Sequence, residues 1–546
     1  MKRKAVAAVL TAVMVASMFT GCGSDNGSSS AKSASAASAA SAANDTVDED
    51  GKVNGIMYQE GLPLVDEGDY TFSIFCDDSS ESGEFIMLDE FKKQTNVDVD
   101  LKIYPYETAT ERLNLDLNSG DYADVIGGWT LSDNAILTYG VNQGVFIPLE
   151  DYFEKYCPNI SAILDLPGVR EKMTAPDGHI YTIPYVCADT TVGYSPYINT
   201  KWLENVGMSM PTTTDEFEAV LKAFKEQDAN ANGDASDEIP FSTDPNNKHI
   251  EAMAGYFGLP MNKLGIAIQD EKVVYGGVSN TYREFLSWFH KLYADGLVDV
   301  ELYTQDSSTW EGKGNQDLYG VSIAYGSNEF TGIPAAEERG DFDSMPVLNT
   351  DKGGIWLRDT EGFSVYRTQA VITNKAEHPE IICRWFDNAF ALENGIGCNR
   401  GPVGVIVNKE DDGYHAIDTT TLSEEDQEKY SWGNLWPQSL PKYLPVDFEF
   451  VEEHPMYDEK KATEEAYEAN LTKEIIPSYW IDLDKIDTFS DTNTAIKDFF
   501  EQQQAQFVCG ELDIDNDADW QAYVDGMYSL GLEDWVATQG IEEIAK

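Results

Sequence analysis

Positive charge is what this chain has least of: 37 Lys and Arg stand against 96 Asp and Glu, a formal net charge of −59. So acidic a chain has no electrostatic route onto nucleic acid and no basic face for anionic lipid. Its dense acid charge reads as a solvated surface. Histidine is scarce too, at six residues, and neither HExxH nor GxSxG occurs. The sequence signatures of zinc proteases and nucleophile-elbow hydrolases are therefore missing. Cysteine numbers seven, with no CxxC pair, which removes the dithiol redox motif. Six of them, Cys76, Cys157, Cys187, Cys383, Cys398 and Cys509, fall largely in apolar runs and read mostly as buried thiols, although an exported chain can also form disulfides. The apolar run Ala5–Phe19 is too short, and ends too abruptly, to be read first as a membrane span.

What the N-terminus does carry is Lys2, Arg3 and Lys4, that apolar run, and then Phe19-Thr20-Gly21-Cys22. The four residues resemble the lipobox of bacterial lipoproteins, with Phe in place of the usual Leu. The resemblance implies a lipoprotein signal peptide and lipobox over residues 1–22, with a diacylated, palmitate-bearing Cys22 as the mature N-terminus. The protein is then tethered to the outer, extracellular face of the cytoplasmic membrane, with the lipid as its sole membrane contact. Residues 23–68 follow as a Ser/Ala tract and an acidic stretch, a composition that cannot bury enough surface to offset ordering entropy. They read as a disordered stalk.

The remaining chain, 69–546, is too long for one small core and suits two lobes. Its organising stretch runs from Gly178 to Lys225. Ile180–Val186 and Val192–Ile198 are β-like runs separated by the polar break Asp189-Thr190-Thr191. The period then changes: Phe217, Val220, Leu221 and Phe224 occupy one helical face, and Thr213 and Glu216 stand three apart before it, as in a capping box. One strand closes a first lobe, the chain crosses, and a strand and helix open a second. Upstream, alternation over Tyr70–Cys76 and Val97–Ile103, helical spacing at Phe85, Leu88 and Phe91 and through Leu113 and Leu117, and a short strand into Gly127-Gly128-Trp129 give a βαβ rhythm. The fold class is α/β, with mainly parallel sheets flanked by helices. Ligands of such sheets sit beyond the strands' carboxyl ends, which puts Asp77, Asp78 and Trp129 at the rim of a site.

GDYADVIGGWT, GVFIPLEDYFEKY, DGHIYTIPYV, YINTKWLENVGMSMPTTTDEF, TYREFLSWFHKLYADGLVD and GFSVYRTQAVITNKAEHPEIICRWFDNAF together resemble, in this order, landmarks of the extracellular solute-binding proteins of ABC importers. They are similar to the sugar-binding group that includes maltose- and alginate-oligosaccharide-binding proteins. The resemblance spans roughly Tyr70 to Asp515. It implies a periplasmic-binding-protein-like fold with a ligand cleft between the lobes, no catalysis, a carbohydrate ligand, an ABC permease as partner, and a monomer. Residues 69–190 with 345–395 form the first lobe and 195–340 with 400–546 the second. Three crossings are implied near Ala188–Ser195, Gly340–Met345 and Ala391–Arg400; the Gly, Asp and Asn content of Asp341–Gly354 and the glycines of Asn394–Gly404 agree.

Two sets of candidate site residues follow. Asp228, Asn230 and Asn232 stand at i, i+2 and i+4, with Gly233 for a sharp turn, a spacing that gathers oxygens for Ca²⁺. The position where an EF-hand needs its last acid holds Ile239. The stretch resembles the EF-hand-like loop of the alginate-binding relatives with one residue added. That implies a structural calcium held by Asp228, Asn230, Asn232, the Asp234 carbonyl, Asp237 and Glu238, with Ser236 an alternative ligand. The second set is aromatic. Trp129, Tyr185, Tyr325, Trp356, Trp432 and Trp436 lie at strand ends or in polar loops, where indole and phenol rings stack on the C–H faces of sugars while groups such as Asp78 bind hydroxyls. Trp129 and Trp356 are expected from the first lobe, and Tyr325, Trp432 and Trp436 from the second. Plentiful acidic pairs leave a surface glycoside hydrolase as a second reading, and a peptide or other small solute as a third.

Overall fold

The computed structural model describes residues 45–78, 84–245, 249–332, 341–417, 419–451 and 455–545. Cys22, the signal peptide and the first part of the stalk lie outside them. Among the described residues no helix is long and apolar enough to cross a membrane.

The described part of the expected stalk is folded, not disordered: Lys52–Val53 pairs with Met57–Tyr58, and Val53, Met57, Leu64 and Val65 are buried in the first core, where their apolar side chains find cover. The first lobe continues with β1 (Tyr70–Asp77), α1 (Ile86–Thr95), β2 (Val97–Tyr104), α2 (Tyr106–Ser119) and β3 (Val125–Gly127). The ribbon strand β4 (Tyr185–Ala188) follows. The second lobe opens with β5 (Ser195–Asn199), α3 (Thr214–Glu226), β6 (Ile239–Thr243), α4 (Asn280–Ala294), β7 (Tyr319–Ala324) and β8 (Phe342–Ser344). The chain then returns through β9 (Phe363–Tyr366), β10 (Ala370–Ile372) and α5 (Pro379–Ala389), and ends with α6 (Pro455–Tyr467), α7 (Ile486–Cys509) and shorter helices.

The first sheet has the order β10-β3-β1-β2, with β1, β2 and β3 parallel and β10 antiparallel at the edge. The second has the order β8-β5-β7-β6, with β7 and β6 parallel. Each carries a core built from its own pattern. On α3, the predicted face of Phe217, Val220, Leu221 and Phe224 is buried against the second sheet, and Thr213 caps the helix by accepting from the Glu216 N–H (3.2 Å). The Glu216 carboxylate turns back to the Thr212 N–H (2.8 Å), one residue beyond the N-cap N–H that a capping box would use. The α5 stripe of Ile381, Ile382, Trp385 and Phe386 fills the first core. Cys76, Cys157, Cys383 and Cys398 are buried free thiols.

Between β4 and β5 the chain leaves the residues of the first core and enters those of the second. Asp341–Gly354 instead supplies β8 as an edge strand of the second sheet, and Met345, Val347 and Leu348 enter that sheet's core. Asn394–Gly404 begins as a helix, Leu392–Arg400. Its glycines serve close packing rather than bending: a Cβ on Gly395 would meet the Tyr443 carbonyl, and one on Gly397 the Met87 side chain. The second passage lies between Trp356, in the second core, and Phe363, on the first. The third runs from Val446, on the first core, to Tyr467 in the second. A further excursion brings Trp480, Ile481 and Ile486 back onto Leu137 before α7 returns to the second core through Phe500 and Phe507. Composition marked loops; which loops cross depended on which core captured the apolar residue beside them.

Candidate functional site

The carboxyl edge of the first sheet is organised by a buried acid. Asp77, 1 % exposed at the end of β1, accepts from the Trp129 N–H (3.0 Å), the Thr130 N–H (2.6 Å) and the Thr130 hydroxyl. This fastening turns the chain sharply at Gly128, whose φ of +136° and whose closeness to the Asp77 carboxylate leave no room for a Cβ. The turn presents Trp129 with 47 % of its surface exposed. Its indole packs edge-on against Tyr366 (5.3 Å between centroids) and tilted against Tyr185 (6.4 Å). Tyr185 and Tyr366 are directly paired across β4 and β9 and stack at 5.4 Å. Asp78, also buried, holds a second loop by accepting from the Gln438 N–H (2.7 Å). In that loop Trp432 is half exposed, and the Lys442 ammonium, bonded to Gln438 Oε1 (2.7 Å), sits 5.2 Å from its ring centroid. Burial drives the Lys442 pKa down to about 8.

A second aromatic wall stands at the carboxyl edge of the second sheet. Tyr194 enters β5, Tyr325 leaves β7, and His249 follows β6. The Tyr194 ring stacks on His249 at 4.1 Å with an interplanar angle of 15°, and meets Tyr325 edge-on at 6.1 Å. Burial lowers the His249 pKa to about 4, so the imidazole is neutral at pH 7 and stacks without a cation's desolvation cost. Carboxylates surround these rings. Glu329 accepts from the Tyr325 N–H (2.9 Å). Burial, with Asp244 and Glu311 nearby, lifts its pKa to about 7, against the opposing pull of the Tyr325 N–H and Lys460.

The two walls meet at the first crossing. Asp189 Oδ1 accepts from Tyr325 Oη (3.1 Å) of the second lobe, and its Oδ2 accepts from Ser364 Oγ (2.5 Å) of the β9 ribbon. One carboxylate thus ties both lobes' aromatic edges to the crossing segment. Helix α6 braces it: Lys460 Nζ donates to the carbonyls of Gly193 (2.7 Å) and Tyr325 (2.6 Å), Glu464 accepts from the Thr191 N–H (2.6 Å), and Glu459 from the Ser327 N–H (2.8 Å). Burial drives the Lys460 pKa down to about 8 against the opposing pull of Glu459 and Glu329. A recess of ≈ 610 Å³ also opens between the lobes, lined by Ser132, Asp133 and Asn134 on one side and Asn262, Ile266 and Val273 on the other.

Of the residues singled out from the sequence, Trp129, Tyr185, Tyr325 and Trp432 lie on these edges. Trp432 belongs with the first lobe, through Gln438 and Asp78, and not with the second. Trp356 and Trp436 are corrections. Trp356, 2 % exposed, sits in the second core between Tyr256 and Tyr467. Trp436, fully buried in the first core, stacks on Trp385 at 5.7 Å and bonds the Leu440 carbonyl. Each fills its own lobe's interior, and neither has a face to offer. Asp78 positions a loop and is itself buried. Tyr194, Tyr366, His249, Asp189, Glu329 and Lys460 went unnamed as site residues. Asp189 was visible as the polar break. The others depend on strand pairing and lobe contact, which no local pattern reports.

The 228–238 loop is folded by its own side chains. Asp228 Oδ2 accepts from the Gly233 N–H (3.0 Å), Asn230 from the Asn232 N–H (3.0 Å), and Asn232 from the Asp234 N–H (2.8 Å). Asp237 accepts from the side-chain amides of Asn230 (3.3 Å) and Asn232 (2.7 Å). Among the described residues, Asp228 Oδ1 and Glu238 Oε2 are buried with no hydrogen-bond partner. Burial, with Asp237 and Asp228 beside it, raises the Glu238 pKa. Two unsatisfied buried carboxylate oxygens among hard donors fit a cation such as Ca²⁺.

The matches with known proteins agree with this geometry. The family model for bacterial extracellular solute-binding proteins matches residues 78–395. The chain is 31 % identical over 411 residues, 73 % of this chain and 70 % of the relative, to the fructooligosaccharide ABC transporter substrate-binding protein FusA of Streptococcus pneumoniae serotype 4, strain TIGR4. The structure of S. pneumoniae FusA in complex with kestose superposes with a TM-score of 0.75 at 26 % identity, covering 86 % of this chain and 98 % of that one. An EF-hand mutant of FusA in complex with fructo-nystose gives a TM-score of 0.74 at 27 % identity, with the same coverage.

Proposed function

The chain belongs to the bacterial extracellular solute-binding protein family, and from that premise we propose that it is the capture subunit of an ABC importer for oligosaccharides. One observation carries the reading: two aromatic-lined sheet edges face a common crossing, where the Asp189 carboxylate bonds Tyr325 of one lobe and Ser364 beside the other. Aromatic faces take the C–H faces of sugar rings, and carboxylates and amides take the hydroxyls. A sugar between the lobes touches both only in the closed form and so shifts the population toward it. The permease then distinguishes loaded from empty protein by shape. The reading makes the chain a binder and not a glycosidase. It works as a monomer, held by a lipid on Cys22 at the outer face of the cytoplasmic membrane. The likeness to FusA supports a fructooligosaccharide or a similar chain of sugars.

Asp228, Asn230, Asn232, Asp234, Asp237 and Glu238 would hold a structural Ca²⁺, which supplies charge neutralisation for the loop's carboxylates. The loop directly follows α3, outside the aromatic edges, so it stabilises the second lobe and takes no part in sugar contact. The function is tested by titrating kestose and nystose into the protein while following tryptophan fluorescence and small-angle scattering, with chromatography of the sugar afterwards. Saturable quenching or enhancement, a smaller scattering radius and intact sugar are expected. Cleaved sugar, or a radius that ignores a bound ligand, refutes the reading.

A further inference from the structure

Resting on the oligosaccharide reading above, we infer that this cleft selects uncharged oligosaccharides and rejects uronate-containing ones. The second-lobe wall is the basis. Asp244 follows the carboxyl end of β6, Glu329 lies beyond that of β7, and Asp189 closes the crossing between them, all within electrostatic reach of Tyr194 or Tyr325. Glu311 adds to the same field at Glu329. Burial first, and then the nearby Asp244 and Glu311 carboxylates, raise the Glu329 pKa.

Among the described residues, the buried cations nearby are committed. Lys460 is 2 % exposed and spends its donors on two backbone carbonyls of the hinge and its charge beside Glu459 and Glu329. Lys442 is 3 % exposed, points at Gln438 Oε1, and lies close enough to Asp78 for that carboxylate to favour its charged form. His249 is neutral. Arg367, the nearest guanidinium in sequence to the Tyr366 platform, is paired with Asp133 Oδ1 (2.8 Å) and packed over Trp480 at 4.1 Å. Among the described residues these cations are taken up, and against Lys263, exposed and close enough to act on His249, stand the carboxylates of Asp189, Asp244, Glu311 and Glu329. A ligand carboxylate would enter a site already negative, and at about 5 Å from one fixed carboxylate, with an effective dielectric of about 20, repulsion alone weakens binding roughly 300-fold.

The test is calorimetry on the full-length protein at pH 7.5 and low salt, with nystose and maltotetraose as neutral probes and tetragalacturonate and tetramannuronate as anionic ones. The expected result is measurable affinity for a neutral tetrasaccharide and affinities at least roughly 100-fold weaker for both uronates. Equal or tighter uronate binding overturns the inference and leaves the oligosaccharide reading standing. No binding by any of the four overturns both. The Asp244→Asn/Glu329→Gln double variant assigns the cause: with an unchanged circular-dichroism spectrum, its discrimination should narrow by tenfold or more. An undiminished ratio in a folded double variant shows that these carboxylates are not the selectors and overturns the argument.

Discussion

Truncating Trp129 separates a binding aromatic from a packing one. About 47 % of the side chain is exposed. A buried Trp removes up to about 250 Å² from solvent, so roughly 120 Å² is open to a ligand, and a sugar covering one ring face takes about half of it. At about 25 cal/mol per Å², this is about 1.5 kcal/mol, or roughly tenfold in Kd. Folding should change little, because Asp77 holds the loop through the Trp129 and Thr130 N–H groups, which the variant keeps. Trp129→Ala should therefore bind nystose about tenfold more weakly by calorimetry, with a melting temperature within a few degrees of the parent. Trp436→Ala is the control. Its indole is fully buried against Trp385 and Phe91, so truncation should cost about 3–5 kcal/mol of stability by chemical denaturation. Affinity within threefold of the parent for Trp129→Ala would refute the placement of the sugar against this edge. So would a destabilisation of Trp129→Ala as large as that of Trp436→Ala.

Other outcomes follow from the same geometry. Because a ligand of the folded state raises stability by mass action, a calcium chelator should lower the melting temperature of the parent and leave that of Asp228→Ala/Asn232→Ala unmoved; equal sensitivity would sink the calcium assignment. Glu329, with its folded pKa raised to about 7, holds a proton in the native state that the unfolded chain has lost, so its contribution is fully present below the ordinary glutamate range and fades as pH rises toward 7. Denaturant melts at pH 5 and 7.5 should show the parent losing more stability over that interval than Glu329→Gln. Lys460 acts oppositely, its buried charge opposing folding below about pH 8, so its contribution improves from pH 8 toward the ordinary lysine pKa; comparing Lys460→Met with the parent at pH 7 and 9.5 checks that sign. Cys22→Ala should move the protein from the membrane fraction to the soluble one, and a variant that remains membrane-bound after signal removal counts against a lipid anchor.

How much was legible from the residues depended on range. The alternation in Tyr70–Cys76, the α3 face with its Thr213 cap and the α5 stripe needed only neighbours along the chain, and each folds as its period dictates. So does the βαβ rhythm that places Trp129 at a strand's carboxyl end, since chirality and sheet twist permit few arrangements of parallel strands. What neighbours cannot determine is which core an aromatic residue joins. Trp356, Trp432 and Trp436 share similar surroundings of Gly, Pro and polar residues, yet one fills the second core, one is half exposed, and one stacks on Trp385. The difference is made by the partners that tertiary contact brings up: Tyr467 from α6 against Trp356, and Trp385 from α5 against Trp436. The glycines of Asn394–Gly404 are ambiguous in the same way, free joints by composition but points of close backbone approach once Tyr443 and Met87 pack on them. The acid and lysine network at the crossing is furthest from local pattern. Asp189, Tyr325, Ser364 and Lys460 are separated by tens to hundreds of residues, and their hydrogen bonds exist only after two sheets have formed and α6 has docked across the hinge. The sequence by itself determined the periods, the caps and the charge of this protein; the tertiary structure decided which side chains face the cleft, because burial and pairing are properties of distance in space.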